Sequence, residues 1–304
     1  MKNLPLSHQA EHPAPYPETF LGLISSRLEG LPGAQRKIAQ AFLSHPELLG
    51  CFSIAELSQK TGASQATIIR FCRSLGFDGF LQFTKEVQQA FQAQLTVTDR
   101  FTMTGEKAFS PDEAFVSENI RQLFATGKRN IDALTETIKG PQFKACIEAM
   151  NNADNIFILG RLSSYPIALH FTQMLSKITD NAILLDRGIM QTMAQFNKIT
   201  DKSLLFSIAF PRYPRATLNI ARQAAERGVS IVSVTNSRLC PTVPFSTYTL
   251  LAPIDMVSYI DVFISPLTLL SALAIAFGAR RPELSQQYLT AFDTFAEENE
   301  LFVK

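Results

Sequence analysis

From Glu18 to about Ala93 apolar residues recur every three or four positions, in "TFLGLISSRL", "GAQRKIAQAFLSH", "SIAELSQKTGASQATIIRFCRSLGF" and "FLQFTKEVQQAFQAQL", with no strand-like run between them. That spacing lines one face of a helix, so this region is predicted to be all-α. After Asn151 the rhythm changes. Apolar runs of four to seven residues, "NIFILG", "AILL", "SLLFSI", "SIVSVT" and "TYTLLA", alternate with helical stretches such as "SYPIALHFTQMLSKI" and "ATLNIARQAAERG". Runs without polar alternation suit strands covered on both faces, and helical crossovers of this length join parallel strands. The second half is therefore predicted to be an α/β domain with a five-stranded parallel sheet flanked by helices. Its ligand is expected at the carboxyl ends of the strands, where strand order reverses.

A polar, threonine-rich stretch from Thr96 to Pro111 separates the two textures. It leads into a connecting helix spaced by Phe115, Ile120, Leu123, Phe124, Ile131 and Leu134, with Gly127 as a candidate break. A chain of 304 residues is long enough for two domains. The expected division is a disordered, proline-rich arm at 1–17, a helical domain at 18–95, a linker and connecting helix at 96–140, and the α/β domain at 141–304. The segment "VFISPLTLLSALAIAFGA" opens at Ser265 before Pro266 and stops at Gly278. Thirteen or so helical residues span about 20 Å, too short for a bilayer core of about 30 Å. It reads instead as a helix sandwiched in a core or at a subunit contact, and the chain as cytoplasmic with no membrane partner.

A net charge of +1 carries no message about acidic partners, so any nucleic-acid footprint must be local. Cys51, Cys72, Cys146 and Cys240 are too scattered for a zinc site or a disulfide framework, and neither metal nor cofactor is expected. A local footprint exists between Ser53 and Phe77. Ser53 and Glu56 form a capping box that starts one helix, Gly62 ends it in the left-handed conformation, and Ser64 caps the next. Leu57, Ala63, Ile68, Phe71 and Leu75 supply a shared apolar seam, which makes the pair a helix-turn-helix. Ser64, Gln65, Thr67, Arg70 and Arg73 fall outside the seam. Gln65 can pair with adenine and Arg70 with guanine, while Lys60 and Arg73 suit phosphates.

The stretch "GASQATIIRFCRSLGFDGFLQFT", with "RKIAQAFLSHPE" before it, resembles the N-terminal DNA-binding domain of the RpiR family of bacterial transcriptional regulators. The resemblance implies a double-stranded DNA operator as partner and, downstream, a sugar isomerase (SIS) domain. "IFILGRLSSYPIALHFTQMLSKI" is similar to the first strand, loop and helix of such a domain, which places Gly160, Ser163 and Ser164 against a sugar phosphate. Leu162 stands where the family has a second glycine. After the third strand the family's Ser-x-Ser-Gly-x-Thr run is replaced by "SIAFPRYPRAT", which keeps Ser207 and puts Arg212 in the threonine's place. Arg212, Tyr213 and Arg215 gather there and suit a carboxylate or phosphate.

The resulting expectation is a non-enzymatic regulator, a homodimer or homotetramer, sensing a small anionic metabolite such as a sugar phosphate. Proton transfer next to a carbonyl needs a Glu or His in the cleft. Neither strand-end loop has a Glu, and His170 falls mid-helix. Asp255, Ser258 and Asp261 follow the fifth strand as further candidates for a pocket lining. An isomerase that uses the helical domain for assembly, and a regulator whose SIS domain only dimerises, are the alternatives.

Overall fold

The computed structural model describes residues 16–45, 48, 53–94, 98, 113–185 and 189–303. Most of the N-terminal arm, most of the threonine-rich stretch and Cys51 lie outside the described residues. The chain divides into two compact units after Gln94.

The first unit is all helical: α1 (Tyr16–Arg27), α2 (Gly33–Ser44), α3 (Ile54–Thr61), α4 (Gln65–Ser74) and α5 (Phe80–Gln94). Its core is aromatic. Phe42 of α2 stacks on Phe71 of α4 with ring centroids 5.9 Å apart, and Phe83 of α5 meets Phe42 at 5.9 Å and Phe77 at 5.6 Å. Phe77 therefore anchors the turn after α4 to α5, with Gly76 at φ 93° making the bend.

The second unit is a three-layer α/β sandwich. It opens with α6 (Glu113–Lys139) and α7 (Pro141–Asn152), followed by β1 (Ile156–Gly160), α8 (Tyr165–Leu175), β2 (Ala182–Leu184) and α9 (Ile189–Phe196). Then come β3 (Leu204–Ile208), α10 (Arg215–Glu226), β4 (Ser230–Thr235) and β5 (Tyr248–Leu251). A short hairpin of β6 (Met256–Val257) and β7 (Ile260–Asp261) leads to α11 (Ile264–Arg280) and α12 (Pro282–Glu298). The five long strands are all parallel in the order β2-β1-β3-β4-β5. Each of these five strands matches an apolar run, because a strand covered on both faces has no polar side to interrupt it. One face, through Ile156, Ile158, Phe206 and Val232, packs on α7, α8 and α11. The other, through Phe157, Leu159, Leu205 and Ile231, packs on α9 and α10. The order reverses between β1 and β3, which sets the ligand crevice at the loops after those two strands.

The sequence expectations for α6 and α11 are corrected here. Gly127 does not break α6, which runs unbroken for 27 residues. A Cβ at Gly127 would lie 3.4 Å from Ile264 Cγ2, so the glycine lets α6 approach α11 closely. Helix α11 is also longer than expected, at 17 residues instead of about thirteen. Pro266 falls within its first turn, where a missing N–H costs nothing, and Gly278 lies within its last turn. The helix opens at Ile264, one residue before Ser265, whose hydroxyl donates to the carbonyl of Pro253. Helix α11 is not buried on every side either: Leu269, Leu273 and Phe277 are buried but Ile275 is 74% exposed. Among the described residues no helix is long and apolar enough to cross a membrane.

Candidate functional site

The sequence places its chemistry in two separate places, one in each unit. In the first, the Ser53 hydroxyl accepts from the Glu56 backbone N–H at 3.1 Å and starts α3. Only half of the capping box forms, because the Glu56 carboxylate turns to Lys60 Nζ at 3.1 Å. Gly62 ends α3 at φ 66°, and the Ser58 hydroxyl donates to the Ala63 carbonyl at 2.7 Å, closing the turn. Ser64 then caps α4, accepting from the Thr67 N–H at 3.2 Å. Leu57, Ile68, Phe71 and Leu75 are buried, which fixes the rotation of α4. The wedge left in solvent carries Gln65, Ala66, Arg70 and Arg73, all exposed, with half-buried Ile69 among them.

The candidate contacts divide by what holds them. Arg70 and Gln65 make no bond or ion pair among the described residues, which leaves both free to reach outward. Arg73 Nε donates to the Asp78 carbonyl at 3.3 Å, a brace that aims its guanidinium along the turn. Lys60 is shared with Glu56. Ser64 and Thr67 are tied to each other, hydroxyl to hydroxyl at 2.8 Å, so their first task is to cap α4. The sequence reading missed Ala66. Its exposed methyl group lies on the same wedge and matches a thymine methyl in size and polarity. Alanine carries no chemical signal of its own; only its helical phase could have singled it out.

In the second unit the loops after β1 and β3 meet at the switch point. Gly160 ends β1 in a crowded position. A Cβ there would lie 2.5 Å from the Ser164 carbonyl oxygen and 2.8 Å from Ala168 Cβ, so the bare Cα lets the loop and α8 close onto the strand. Leu162 takes the left-handed conformation at φ 54° and is 77% exposed. The loop thus keeps a glycine-type turn with a leucine in it. Ser163 is exposed. Ser164, just before α8, is 1% exposed and its hydroxyl has no hydrogen-bond partner among the described residues. Arg161 Nη2 donates to Thr192 Oγ1 of α9 at 2.7 Å.

After β3 the chain turns inward. Phe210 is buried against Phe263, edge to face with centroids 5.6 Å apart. Pro211 is buried, while Arg212 and Arg215 are exposed with no ion pair among the described residues. The Tyr213 hydroxyl donates to Asn236 Oδ1 at 3.0 Å, linking this loop to the one after β4. Ser207 is fully buried and its hydroxyl has no hydrogen-bond partner among the described residues. The same is true of Thr217, in the first turn of α10. The sequence reading missed Thr217 because it matched Arg212 to the family's threonine, whereas the polypeptide reaches its helix several residues later. His170 lies on the exposed face of α8. Asp255, a candidate for the pocket lining, is tied to α6. With its amide oriented to satisfy both contacts, Asn130 of α6 donates to Asp255 Oδ2 at 2.9 Å and accepts from the Asp255 N–H at 3.2 Å. Ser258 and Asp261 belong to the β6–β7 hairpin beyond it.

Both halves match known domains. Residues 19–94 match the helix-turn-helix domain of the rpiR family, and residues 149–276 match the SIS domain. The chain is 25% identical to the HTH-type transcriptional regulator HexR of Pseudomonas aeruginosa, over 87% of this chain and 90% of the relative. To HexR of Escherichia coli it is 22% identical, over 86% and 89%. Among solved structures, the sugar isomerase domain of an RpiR transcription factor from Sphaerobacter thermophilus covers 57% of this chain and 97% of its own, with TM-score 0.54 and 21% identity. The Vibrio vulnificus NanR protein, solved with ManNAc-6P, covers 93% and 99%, with TM-score 0.52 and 17% identity. An rpiR-type helix-turn-helix joined to an SIS domain, with relatives named as regulators along nearly the whole chain, identifies this protein as a member of the RpiR family of transcriptional regulators.

Proposed function

We propose that this chain binds a double-stranded DNA operator through α4 and senses a small anionic metabolite, a sugar phosphate or related compound, in the SIS crevice. The observation that carries the DNA half is the exposed wedge of Gln65, Ala66, Arg70 and Arg73 on a helix capped at its N-terminus and braced from below. In a helix-turn-helix this wedge enters the major groove, with Arg70 and Gln65 at base edges and Arg73, Lys60, Ser64 and Thr67 along the phosphates. One recognition helix reads only a few base pairs, so the working form is a homodimer or homotetramer on a two-fold site. Ser163, Ser164, Ser207, Arg212, Tyr213 and Arg215 line the ligand side. The sugar phosphate bound by the NanR neighbour supports the ligand class.

The reading is of a cytoplasmic regulator and not of an isomerase, supported by the relatives' names and by crevice loops that offer arginines and hydroxyls without a carboxylate or imidazole base. Genome-wide mapping of bound DNA, followed by titration of the purified protein on the recovered fragments at several salt concentrations, tests it. Sequence-selective, salt-sensitive binding that weakens with Arg70→Ala is the expected result. Turnover of sugar phosphates together with DNA affinity indifferent to Arg70→Ala would establish the isomerase instead.

A further inference from the structure

We infer that the first half of α6 is the surface on which a second copy of this chain docks, the two helices lying antiparallel across a two-fold axis near Ile120. The inference rests on the proposed two-fold working form and adds the surface that builds it. Val116, Ile120, Leu123, Gly127, Asn130 and Leu134 follow one another at intervals of four, three, four, three and four residues, the spacing that keeps one seam facing a partner helix. The seam is filled along only half its length. Gly127, Asn130 and Leu134 are buried, with Gly127 against Ile264 of α11 and Asn130 tied to Asp255. Val116, Ile120 and Leu123 continue the same face into solvent, and with the adjoining Phe124 they are 38% to 74% exposed. Ile264, beside Gly127 at the foot of this stretch, is exposed as well.

The area fits a dimer. Large apolar side chains carry on the order of 100–200 Å² each, so these five exposed fractions come to roughly 400 Å². A patch of that size on a single chain marks an interaction site. Two copies face to face would bury about 800 Å² of it. That is two-thirds of the ~1,200 Å² at which specific interfaces begin, and about the apolar share of a homodimer contact.

Charge selects the occupant and the direction. From Ala114 to Gly127 the charged residues are Glu118 and Arg121, which lie off the seam and pair with each other at 2.5 Å. Ser117 and Asn119 flank the seam, so it offers no charge to DNA phosphates or to an acidic or basic segment. A neutral apolar stripe is complementary to its own copy. Charges return only at the two ends. Glu113 opens the stretch and Lys128 closes it, both exposed and without an ion pair among the described residues. An antiparallel pair centred on Ile120 sets Glu113 beside Lys128 of the partner subunit, and the two-fold axis repeats the contact at the other end. A parallel pair would instead set like charges together at both ends.

Sedimentation velocity of the full-length protein over a concentration series, without DNA or metabolite, tests this. Wild type is expected to dimerise, and Ile120→Glu/Phe124→Glu to weaken dimerisation by about a hundredfold or more, because the seam would bury carboxylates without partners. Both positions are exposed, so this variant should keep the wild-type circular dichroism spectrum. Ile275→Glu, on an exposed position of α11 outside the seam, should leave the dimer intact. Glu113→Lys and Lys128→Glu should each weaken the dimer about fivefold, and the two together should restore it, since each ion pair occurs twice. A dimer that survives Ile120→Glu/Phe124→Glu, or yields to Ile275→Glu instead, overturns the inference and leaves operator binding in place. A double charge reversal that stays weak refutes the antiparallel register. A wild type that is monomeric at every concentration removes the inference and the two-fold working form together; if Phe124→Glu then destabilises the first unit, the chain's own helical unit is the occupant. Failure of operator binding with this dimer intact removes only the DNA half of the proposed function.

Discussion

Substituting Gly160 by alanine puts the packing of the crevice under direct test. The new methyl carbon would lie 2.5 Å from the Ser164 carbonyl oxygen, 3.0 Å from its carbonyl carbon and 2.8 Å from Ala168 Cβ. Carbon atoms pack comfortably at about 3.5–4.0 Å, so loop and helix must retreat by roughly 1 Å. None of these neighbours can swing aside: two are backbone atoms and the third is a short side chain on a helix that also buries Ile167, Phe171 and Leu175. Overpacking of this kind costs about 1–3 kcal/mol. A domain of this size loses about 2–4 °C per kcal/mol, so the α/β transition should fall by about 2–12 °C in scanning calorimetry. The same shift displaces Ser164, and ligand stabilisation should weaken with it. Gly22→Ala is the control, since nothing lies within 4 Å of a Cβ on that exposed position of α1. It should leave stability unchanged or raise it by about 0.5–1 kcal/mol. Equal melting of Gly160→Ala and wild type would refute the close approach of α8 to β1 and, with it, the account of why the loop is shaped as it is.

Other outcomes follow from the same geometry. Arg70→Ala should cost about 1–3 kcal/mol of operator affinity and relax preference at one base position, whereas Arg73→Ala should weaken all sequences alike and lower the salt slope by about 1, both read by titration across a salt series. Ser53→Ala removes the cap of α3 and should destabilise the first unit by about 0.5–2 kcal/mol in urea unfolding. Burial pushes the Cys72 thiol up to about 12, so the unfolded chain releases this proton first as pH rises from 9, and stability falls by up to about 1.4 kcal/mol per pH unit towards pH 12. Comparison of Cys72→Ala with wild type by urea unfolding at pH 7, 9 and 10 isolates that contribution. Burial raises Cys146 and Cys240 likewise, and all three thiols should resist alkylation at neutral pH until the protein is unfolded.

What could be read in advance was whatever depends on local chemistry. Ser53, Gly62 and Ser64 punctuate α3 and α4 because a cap or a left-handed turn admits few residue types, and the five strands declare themselves by apolar runs. Features set by contacts distant in sequence were hidden. Gly127 looks like a break until Ile264 is placed beside it, and Ser265 looks only like a helix start until Pro253 offers its hydroxyl a carbonyl. Gly160 resembles a phosphate-loop glycine, and only the placed neighbours show that its bare Cα also lets Ala168 and Ser164 pack close. Thr217 was passed over because the loop before it is longer than the family pattern, and spacing along the chain cannot show which hydroxyls end up buried. Asp255 illustrates the same limit: a carboxylate near a strand end reads as chemistry, yet it satisfies Asn130 in α6.

The unbroken course of α6 through Gly127 has a mechanical consequence. Its buried residues begin at Thr126, so the stretch from Glu113 to Ala125 stands clear of that seat as a stiff rod. Thirteen residues at 1.5 Å each make a lever about 20 Å long. Tilting it by about 10° at its seat would swing its far end by roughly 3.5 Å. A hinge there would have absorbed such a swing; the continuous rod passes it on undiminished.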